Sequence, residues 1–341
     1  MGIRALGNPR ASYNAVFKET ASLKDAAYPS GEGFAATGGT TNSPGNGYTY
    51  HTFLYGTQDN FVVTSGKGDI EVLVVAGGGG GSNGGGNTGG GGGGGGVRNL
   101  TFEVEPGTFP ISVGRGGKSR AYNSPHPRGE GQPSSIGSEG DYFFVFATGG
   151  GASGSYPPNS PGLPGGSGGG AQAGTDYWGG STVASPDGKS PTVQGYPGAV
   201  SSAGPSSGGG GGSGQAGGNG PGADATEGKG GNGAPFPAFA YPLVGLSPLT
   251  PYSPTNDQYG GGGGGSSSPG TPSYPDSNFI PGGDGGGGKG ANRYGPSGPN
   301  FVGPSGRGVN GLGGGGGGTC AGGAEYTGPG GSGVIIIRYL A

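Results

Sequence analysis

The sequence is short of the residues that form disulfides, bind metals and transfer protons. It contains one cysteine, Cys320, and two histidines. A single cysteine excludes an internal disulfide framework. His51 lies in a strand-like run and His126 in a proline-containing segment, and neither belongs to a Ser/His/Asp set, a Cys/His set or a metal-ligand cluster. We therefore predict a protein that is not an enzyme and that has no metal or cofactor.

Charge and long apolar runs are also scarce. Charged residues make up 10% of the chain, 16 basic against 19 acidic, without a basic cluster. This balance argues against a nucleic-acid partner. No apolar run reaches the length of about 18 residues that predicts a membrane span, and residues 1–14 lack the apolar core of a signal peptide. The expectation is synthesis in the cytoplasm.

Glycine and proline are abundant, with 99 and 31 copies, while apolar residues make up 28% of the chain. Such a composition usually indicates disorder, since apolar residues are too few for a conventional core. Collagen is excluded because it needs glycine at every third position, whereas here glycines form blocks such as residues 89–96. The apolar residues are gathered into strand-like runs, which a flexible Gly/Ser linker would lack.

The glycine tracts have one ordered solution that needs no side chains. Extended helices of the polyglycine II type have three residues per turn and point every N–H and C=O sideways. Because glycine has no Cβ, neighbouring helices can approach closely and satisfy these groups against one another. The tracts therefore predict a packed bundle of such helices in place of a side-chain core.

Alternation of apolar and polar residues predicts eight short strands, at residues 47–55, 61–64, 69–76, 97–105, 108–113, 134–136, 142–147 and 332–340. We expect the first three to be antiparallel neighbours. The Pro106-Gly107 turn predicts a hairpin between the fourth and fifth, and the sixth and seventh form a further pair. The last strand is apolar on both faces, and the simplest cover for it is the sheet formed by residues 47–147.

The predicted fold is mostly β plus polyglycine II. Residues 47–147 and 332–341 form a small antiparallel β-subdomain, whose glycine tract 77–96 is inserted in the bundle. Residues 148–331 form the bundle, with aromatic and proline loops. Residues 1–46 form an N-terminal arm, in which 31–46 are loop and 11–27 are either a short helix or a flexible arm. The candidate attachment residues of this arm are Tyr13, Val16, Phe17 and Leu23.

Several of these runs, in this order, resemble a known family. The motifs are GYTYHTF from Gly47, FVVTSG from Phe61, DIEVLVVAGGGGG from Asp69, GTFPISVG from Gly107 and GGSGVIIIRY ending at Tyr339. They resemble a glycine-rich family common in marine bacteriophages, whose members are usually assigned as tail-fibre or other virion proteins. The long tracts are also similar to the polyglycine-helix adhesins at the tail-fibre tips of T-even-like phages. The resemblance implies a virion protein in which tip loops touch the host surface.

On this basis the predicted function is host recognition by a tail-fibre or appendage adhesin. The expected partners are other virion proteins, through the N-terminal arm, and a host outer-membrane protein or surface glycan; a homo-oligomer is possible. Aromatic rings between the tracts either stack on such a partner or cap the bundle. The candidate rings are Tyr156, Tyr177, Trp178, Tyr196, Tyr252, Tyr259, Tyr274 and Tyr294.

Two other functions remain open at this stage. A structural decoration or fibre-forming subunit would bind only virion proteins or copies of itself, through the open edges of the bundle. An ice-binding protein would need a flat face of small residues, and the many Tyr- and Pro-containing insertions argue against it.

Overall fold

The computed structural model describes residues 33–57, 59–84, 88–120, 129–154, 160–173, 178–201, 206–220, 228–247, 256–267, 279–291, 306–319 and 328–341. This part of the chain is mostly β. It contains a short 3-10 helix, Pro237–Phe239, and none of its helices has the length and apolarity needed to cross a bilayer. The strands are β1 (Ala35–Thr37), β2 (Thr40–Asn42), β3 (Tyr48–Leu54), β4 (Asn60–Ser65), β5 (Gly68–Val75), β6 (Val97–Val104), β7 (Gly107–Ser112), β8 (Ser134–Ile136), β9 (Val145–Ala147), β10 (Ala234–Pro235), β11 (Gln258–Tyr259), β12 (Phe279–Ile280), β13 (Gly290–Ala291) and β14 (Val334–Leu340).

Ten of these strands form two five-stranded antiparallel sheets. The front sheet has the order β1-β4-β7-β8-β9 and the back sheet the order β2-β3-β14-β5-β6. The last strand, β14, lies at the centre of the back sheet, where Ile336 is opposite Thr52 of β3 and Leu73 of β5. The prediction that strands from residues 47–147 cover the end of the chain is confirmed for the pairing of β14 and for one of its faces. The pairs β10–β11 and β12–β13 form two small separate sheets.

The largest apolar cluster joins the two sheets. Alternate side chains of the back-sheet strands point into it, as the period-2 pattern requires, and they meet side chains of the front sheet. The back sheet contributes Phe53, Ile70, Val72, Val74, Phe102, Ile335 and Ile337, and the front sheet Phe61, Val63, Ile136 and Val145. These two sheets therefore form a sandwich around a conventional core.

A second apolar cluster covers the other face of the back sheet. Residues 236–246 and Tyr259 pack there against the side chains of β3, β5 and β14 that point away from the first core. The Tyr259 hydroxyl donates to the Phe239 carbonyl at 2.6 Å, and the Thr52 hydroxyl donates to the Val244 carbonyl at 3.0 Å. Burial of both faces explains why β14 is apolar apart from Arg338, whose guanidinium pairs with Glu71.

Several predicted strand pairings are wrong, although the strands themselves are present. β6 pairs with β5, and β7 pairs with β4 and β8, so no hairpin forms around Pro106-Gly107. Likewise β3, β4 and β5 are not neighbours, because β4 belongs to the front sheet. In a sandwich each connection can cross between sheets, and the period-2 pattern gives the buried face of a strand but not its partner. The β8–β9 pair is confirmed, with β9 shorter than predicted.

The prediction that residues 31–46 are a loop is wrong. They contain β1, which pairs with β4, and β2, which pairs with β3. These short edge strands have the sequences AAT and TTN, and only one residue of each is even half-buried. They lack the apolar alternation from which strands are predicted, and their pairing with longer strands is what orders them.

The glycine segments are ordered by backbone hydrogen bonds. Within the described residues, segment 89–96 lies against six others: 76–82, 148–151, 167–170, 208–211, 260–263 and 313–316. Its N–H groups reach three of these neighbours in turn, so that every third donor returns to the same neighbour. With N···O distances of 2.7–3.1 Å, the pairs are Gly91–Gly208, Gly92–Gly316, Gly93–Gly151, Gly94–Gly211, Gly95–Gly313 and Gly96–Thr148.

This packing leaves no room for a side chain on the central segment. A Cβ atom at Gly91, Gly92 or Gly93 would overlap a backbone carbonyl of a neighbouring segment. Glycine is therefore required here by the close approach of backbones.

Candidate recognition surface

The structure divides the predicted aromatic rings into exposed, buried and undescribed groups. Trp178 is 73% exposed and Tyr196 is 46% exposed. The other candidates lie outside the described residues: Tyr156, Tyr177, Tyr252, Tyr274 and Tyr294, and the arm residues Tyr13, Val16, Phe17 and Leu23. Trp178 and Tyr196 are therefore the two predicted rings whose surroundings place them at the surface.

Tyr259 is not a surface ring. It is fully buried, its ring packs edge-on against Tyr241, and its hydroxyl is bonded to the Phe239 carbonyl. Burial raises the pKa of this hydroxyl well above its ordinary value. Tyr259 is a core residue, and its prediction as a contact residue is wrong because neighbouring glycines made a core strand look like a loop.

The backbones that carry Trp178 and Tyr196 are held by neighbouring segments. The Trp178 carbonyl accepts from the Gly162 N–H, and the Tyr196 carbonyl accepts from the Gly168 N–H, both at 3.0 Å. The two segments contact each other where the Gly198 N–H donates to the Gly180 carbonyl. The backbone segments that carry these rings are therefore hydrogen-bonded to each other.

Three valines in the same stretch of sequence, residues 178–200, are also exposed: Val183, Val193 and Val200. We call Trp178, Tyr196 and these three valines the outer apolar row. Exposed apolar groups that gather in one region indicate a contact surface more strongly than scattered ones.

A buried ion pair holds the turn between Val183 and Val193. The side chains of Arg98 and Asp187 are fully buried and form a salt bridge at 3.1 Å. Asp187 also accepts from the backbone N–H of Phe146 at 2.9 Å, and Ser185 donates to the Phe146 carbonyl at 2.8 Å. Since Phe146 belongs to the outer strand of the front sheet, this turn closes that edge.

The environment of Asp187 favours its charged form. Burial acts to raise the pKa of this carboxyl. Hydrogen bonds from the backbone N–H groups of Phe146 and Lys189 and from the Arg98 guanidinium, with the nearby Ser185 hydroxyl, outweigh burial and hold the pKa below its ordinary value. The Asp187 carboxyl is therefore ionised at neutral pH, and its bond to Arg98 fixes the turn to strand β6.

A layer of buried polar side chains closes the glycine segments at the end remote from the two sheets. Serine hydroxyls take part in the backbone bonding there: Ser207 and Ser266 donate to the Gly89 carbonyl at 2.6 and 3.0 Å. At the opposite end the segments continue directly into β5, β6 and β14. The layer comprises Ser82, Asn83, Thr88, Ser153, Gln172, Ser201, Ser206, Ser207, Ser266, Ser267 and Thr319.

No catalytic arrangement is evident around His51, the one histidine among the described residues. Its Nδ1 lies 2.7 Å from the Gly38 carbonyl, which can only accept, so Nδ1 carries the proton. Its Nε2 faces the Tyr339 hydroxyl at 3.3 Å. Burial lowers the pKa of His51, although the bond to Gly38 acts in the opposite direction. Nor do the described residues contain a group of three or more His, Cys, Asp or Glu that could hold a metal ion.

The lowered pKa of His51 predicts a pH-dependent stability. Below the ordinary pKa of 6.5, the unfolded chain binds a proton at this residue that the folded protein does not. The contribution of His51 to the free energy of unfolding is therefore complete above pH 6.5 and is lost as the pH falls towards the folded-state pKa of this residue. We expect the melting temperature to fall between pH 7.5 and 5.5, and His51→Gln to weaken this dependence. His126→Gln is the control, and equal slopes in wild type and His51→Gln would contradict the prediction.

Comparison with known proteins gives a family. A search of curated proteins finds no match to this chain. The profile of a glycine-rich domain matches residues 51–340, from strand β3 to the end of β14. The match leaves out the edge strands β1 and β2 but covers the other strands of both sheets, from within β3, and the glycine segments, and so the chain belongs to the glycine-rich domain family.

Proposed function

We propose that this chain is a non-enzymatic virion protein, an adhesin of a phage tail fibre or similar appendage that recognises the host cell surface. The observation that carries the proposal is the exposure of two aromatic rings, Trp178 and Tyr196, on backbone segments that neighbouring glycine segments hold by hydrogen bonds. The resemblance of its framing motifs to phage proteins supplies the virion context. Its location would be the virion, after synthesis in the host cytoplasm.

We further propose that the glycine segments are polyglycine II helices packed in a bundle. The period of three in the hydrogen bonds of residues 91–96 supports this, because such a helix has three residues per turn. Six neighbours around one segment support hexagonal packing. An eight-residue tract at about 3.1 Å per residue spans roughly 25 Å, enough to separate the polar layer from the sheets.

Such a scaffold suits an adhesin for a physical reason. Its hydrogen bonds come from the backbone, so the residues between tracts are not needed for a core and are able to vary with the receptor. Aromatic rings supply large contact areas with few rotatable bonds, and Trp and Tyr are enriched where binding energy concentrates. The expected receptor is a host outer-membrane protein or a surface glycan.

The proposal is tested by the binding of labelled protein to intact cells of candidate hosts. We expect saturable binding to one host, weakened by about tenfold or more in Trp178→Ala, the loss expected of a central aromatic contact. The control is Tyr142→Ala, which removes a ring that is 83% exposed but lies on the sandwich, outside the outer apolar row. Equal binding by Trp178→Ala and wild type would refute the proposed contact between Trp178 and the receptor. Absence of binding to any host would refute the proposed adhesin function.

The alternative is a decoration or fibre-forming subunit that binds only virion proteins or copies of itself. The three exposed valines of the outer apolar row favour it, because aliphatic side chains pack in protein interfaces. Three results together would support this function instead. Sedimentation would show assembly that depends on protein concentration, Val193→Ser would abolish that assembly, and the protein would bind no cells. Attachment through Tyr13, Val16, Phe17 and Leu23 stays a prediction for either function.

A further inference from the structure

A cleft of about 440 Å³ opens on the sandwich, away from the outer apolar row. It is lined by residues 55–57 and 59–60, from the β3–β4 turn, and by residues 111–113, at the end of β7. Its volume falls within the range of about 300–1,000 Å³ that is typical of small-molecule sites.

Hydrogen bonds hold the described residues of this turn. The backbone N–H and the hydroxyl of Thr57 both donate to the Leu54 carbonyl, at 3.3 and 2.7 Å. The Asp59 carboxylate accepts from the backbone N–H groups of Gly39, at 2.6 Å, and Asn60, at 2.8 Å. A ligand would therefore meet a preformed surface and lose little affinity to ordering it.

The remaining polar groups of the cleft are available. Within the described chain no hydrogen bond engages the side chains of Tyr55, Asn60 or Ser112, and all three residues are exposed. The Tyr55 ring is 53% exposed, and Ile111 and Val113, which also line the cleft, are half-buried. The cleft thus combines an aromatic ring, a primary amide and two hydroxyls with a small apolar area.

This combination selects a class of ligand. No cationic side chain lines the cleft among the described residues, so nothing there attracts an anion. The one carboxylate of the cleft, that of Asp59, already accepts hydrogen bonds from two backbone N–H groups. Amides and hydroxyls both donate and accept, which matches the hydroxyls of a neutral sugar. The apolar face of a sugar ring packs on an aromatic side chain.

We infer that this cleft binds one neutral hexose unit of a polysaccharide, with Tyr55 against the ring face and Asn60 and Ser112 bonded to its hydroxyls. The inference goes beyond the proposed function, because the cleft shares no residue with the outer apolar row. It assigns a carbohydrate site to the sandwich itself.

The test is a titration of the full chain with the methyl glycosides of glucose, galactose, mannose and N-acetylglucosamine, in which saturation-transfer NMR measures the binding. We expect saturable binding of at least one glycoside. Tyr55→Ala is expected to raise its Kd by about tenfold, the effect of losing an aromatic contact. Ser112→Ala, the smaller change, gives a smaller increase, while Tyr142→Ala, outside the cleft, leaves the Kd unchanged. Circular dichroism checks that each variant is folded.

Three results would overturn the inference: no saturable binding of any of the four glycosides, an unchanged Kd in both cleft variants, or tighter binding of inorganic phosphate than of the glycosides. These results are separable from failure of the proposed function. If Trp178→Ala loses cell binding but still binds the glycoside, both sites are upheld. If Tyr55→Ala loses glycoside binding but still binds cells, the result identifies the cleft alone.

Discussion

Replacing Gly92 by alanine is expected to lower the free energy of unfolding by about 3 kcal/mol or more, at or above the upper end of ordinary overpacking. The added Cβ would overlap the carbonyl oxygen of Gly79, and the nearest atoms are all backbone, so no side chain can rotate away. Separating the segments also strains the bonds that Gly92 makes, from its N–H to Gly316 and from the Gly263 N–H to its carbonyl, both at 2.8 Å.

Chemical denaturation measures this effect. The control is Gly107→Ala at the start of β7, where a Cβ would have its nearest contact at 3.7 Å, an ordinary van der Waals distance. The Gly107 variant should unfold at nearly the wild-type denaturant concentration. Equal midpoints for the Gly92 and Gly107 variants would show that close packing of the central segment does not limit stability, and would also weaken the proposed bundle.

Replacing Asp187 by asparagine is expected to lower the free energy of unfolding by about 3–5 kcal/mol, the cost of breaking a buried ion pair. Asparagine is close in size to aspartate, but it leaves the Arg98 guanidinium fully buried without its counter-charge. Arg98 keeps its bonds to the carbonyls of Phe146, at 3.3 Å, and Lys189, at 2.9 Å, and has one neutral amide oxygen at position 187 in place of a carboxylate. The substitution also loosens the turn that closes the edge of the front sheet.

The matched control breaks an exposed ion pair. Lys67 bonds to Glu103 at 2.7 Å, but both side chains are more than half exposed. Glu103→Gln should therefore change the thermal midpoint little, because water and a second carboxylate, Glu105, replace the partner. Similar losses in Asp187→Asn and Glu103→Gln would contradict the importance of burial. A further check is Arg98→Met combined with Asp187→Asn, which should be more stable than Asp187→Asn alone.

The strands could be predicted from the sequence because they bury alternate residues. Residues 69–76 and 97–105 show this pattern, and strands β5 and β6 lie there. Their partners could not be predicted, since the Pro106-Gly107 turn is compatible with a hairpin and with a crossing between sheets. The closing strand was placed correctly because Val334–Leu340 is apolar on both faces and must be covered on both.

The candidate surface was predictable only in part. Trp178 and Tyr196 are exposed as expected, whereas Tyr259, in similar glycine-rich surroundings, is in the core. The ion pair was missed, although the sequence holds a signal for one of its members. In strand β6, Arg98 shares its parity with Leu100 and Phe102, which pack in the core, so its side chain is also directed inward.

By itself, the sequence determined that this chain has β-strands at both ends, glycine tracts between them and too few apolar residues for a single conventional core. These are local properties of residue type and spacing. Only the tertiary structure decided which strands pair, which tyrosine is buried and that Asp187 meets Arg98, 89 positions away. The glycine tracts make this division sharp, because without side chains they carry no pattern that distinguishes one neighbour from another. Their partners are selected by the strands and turns that hold their ends.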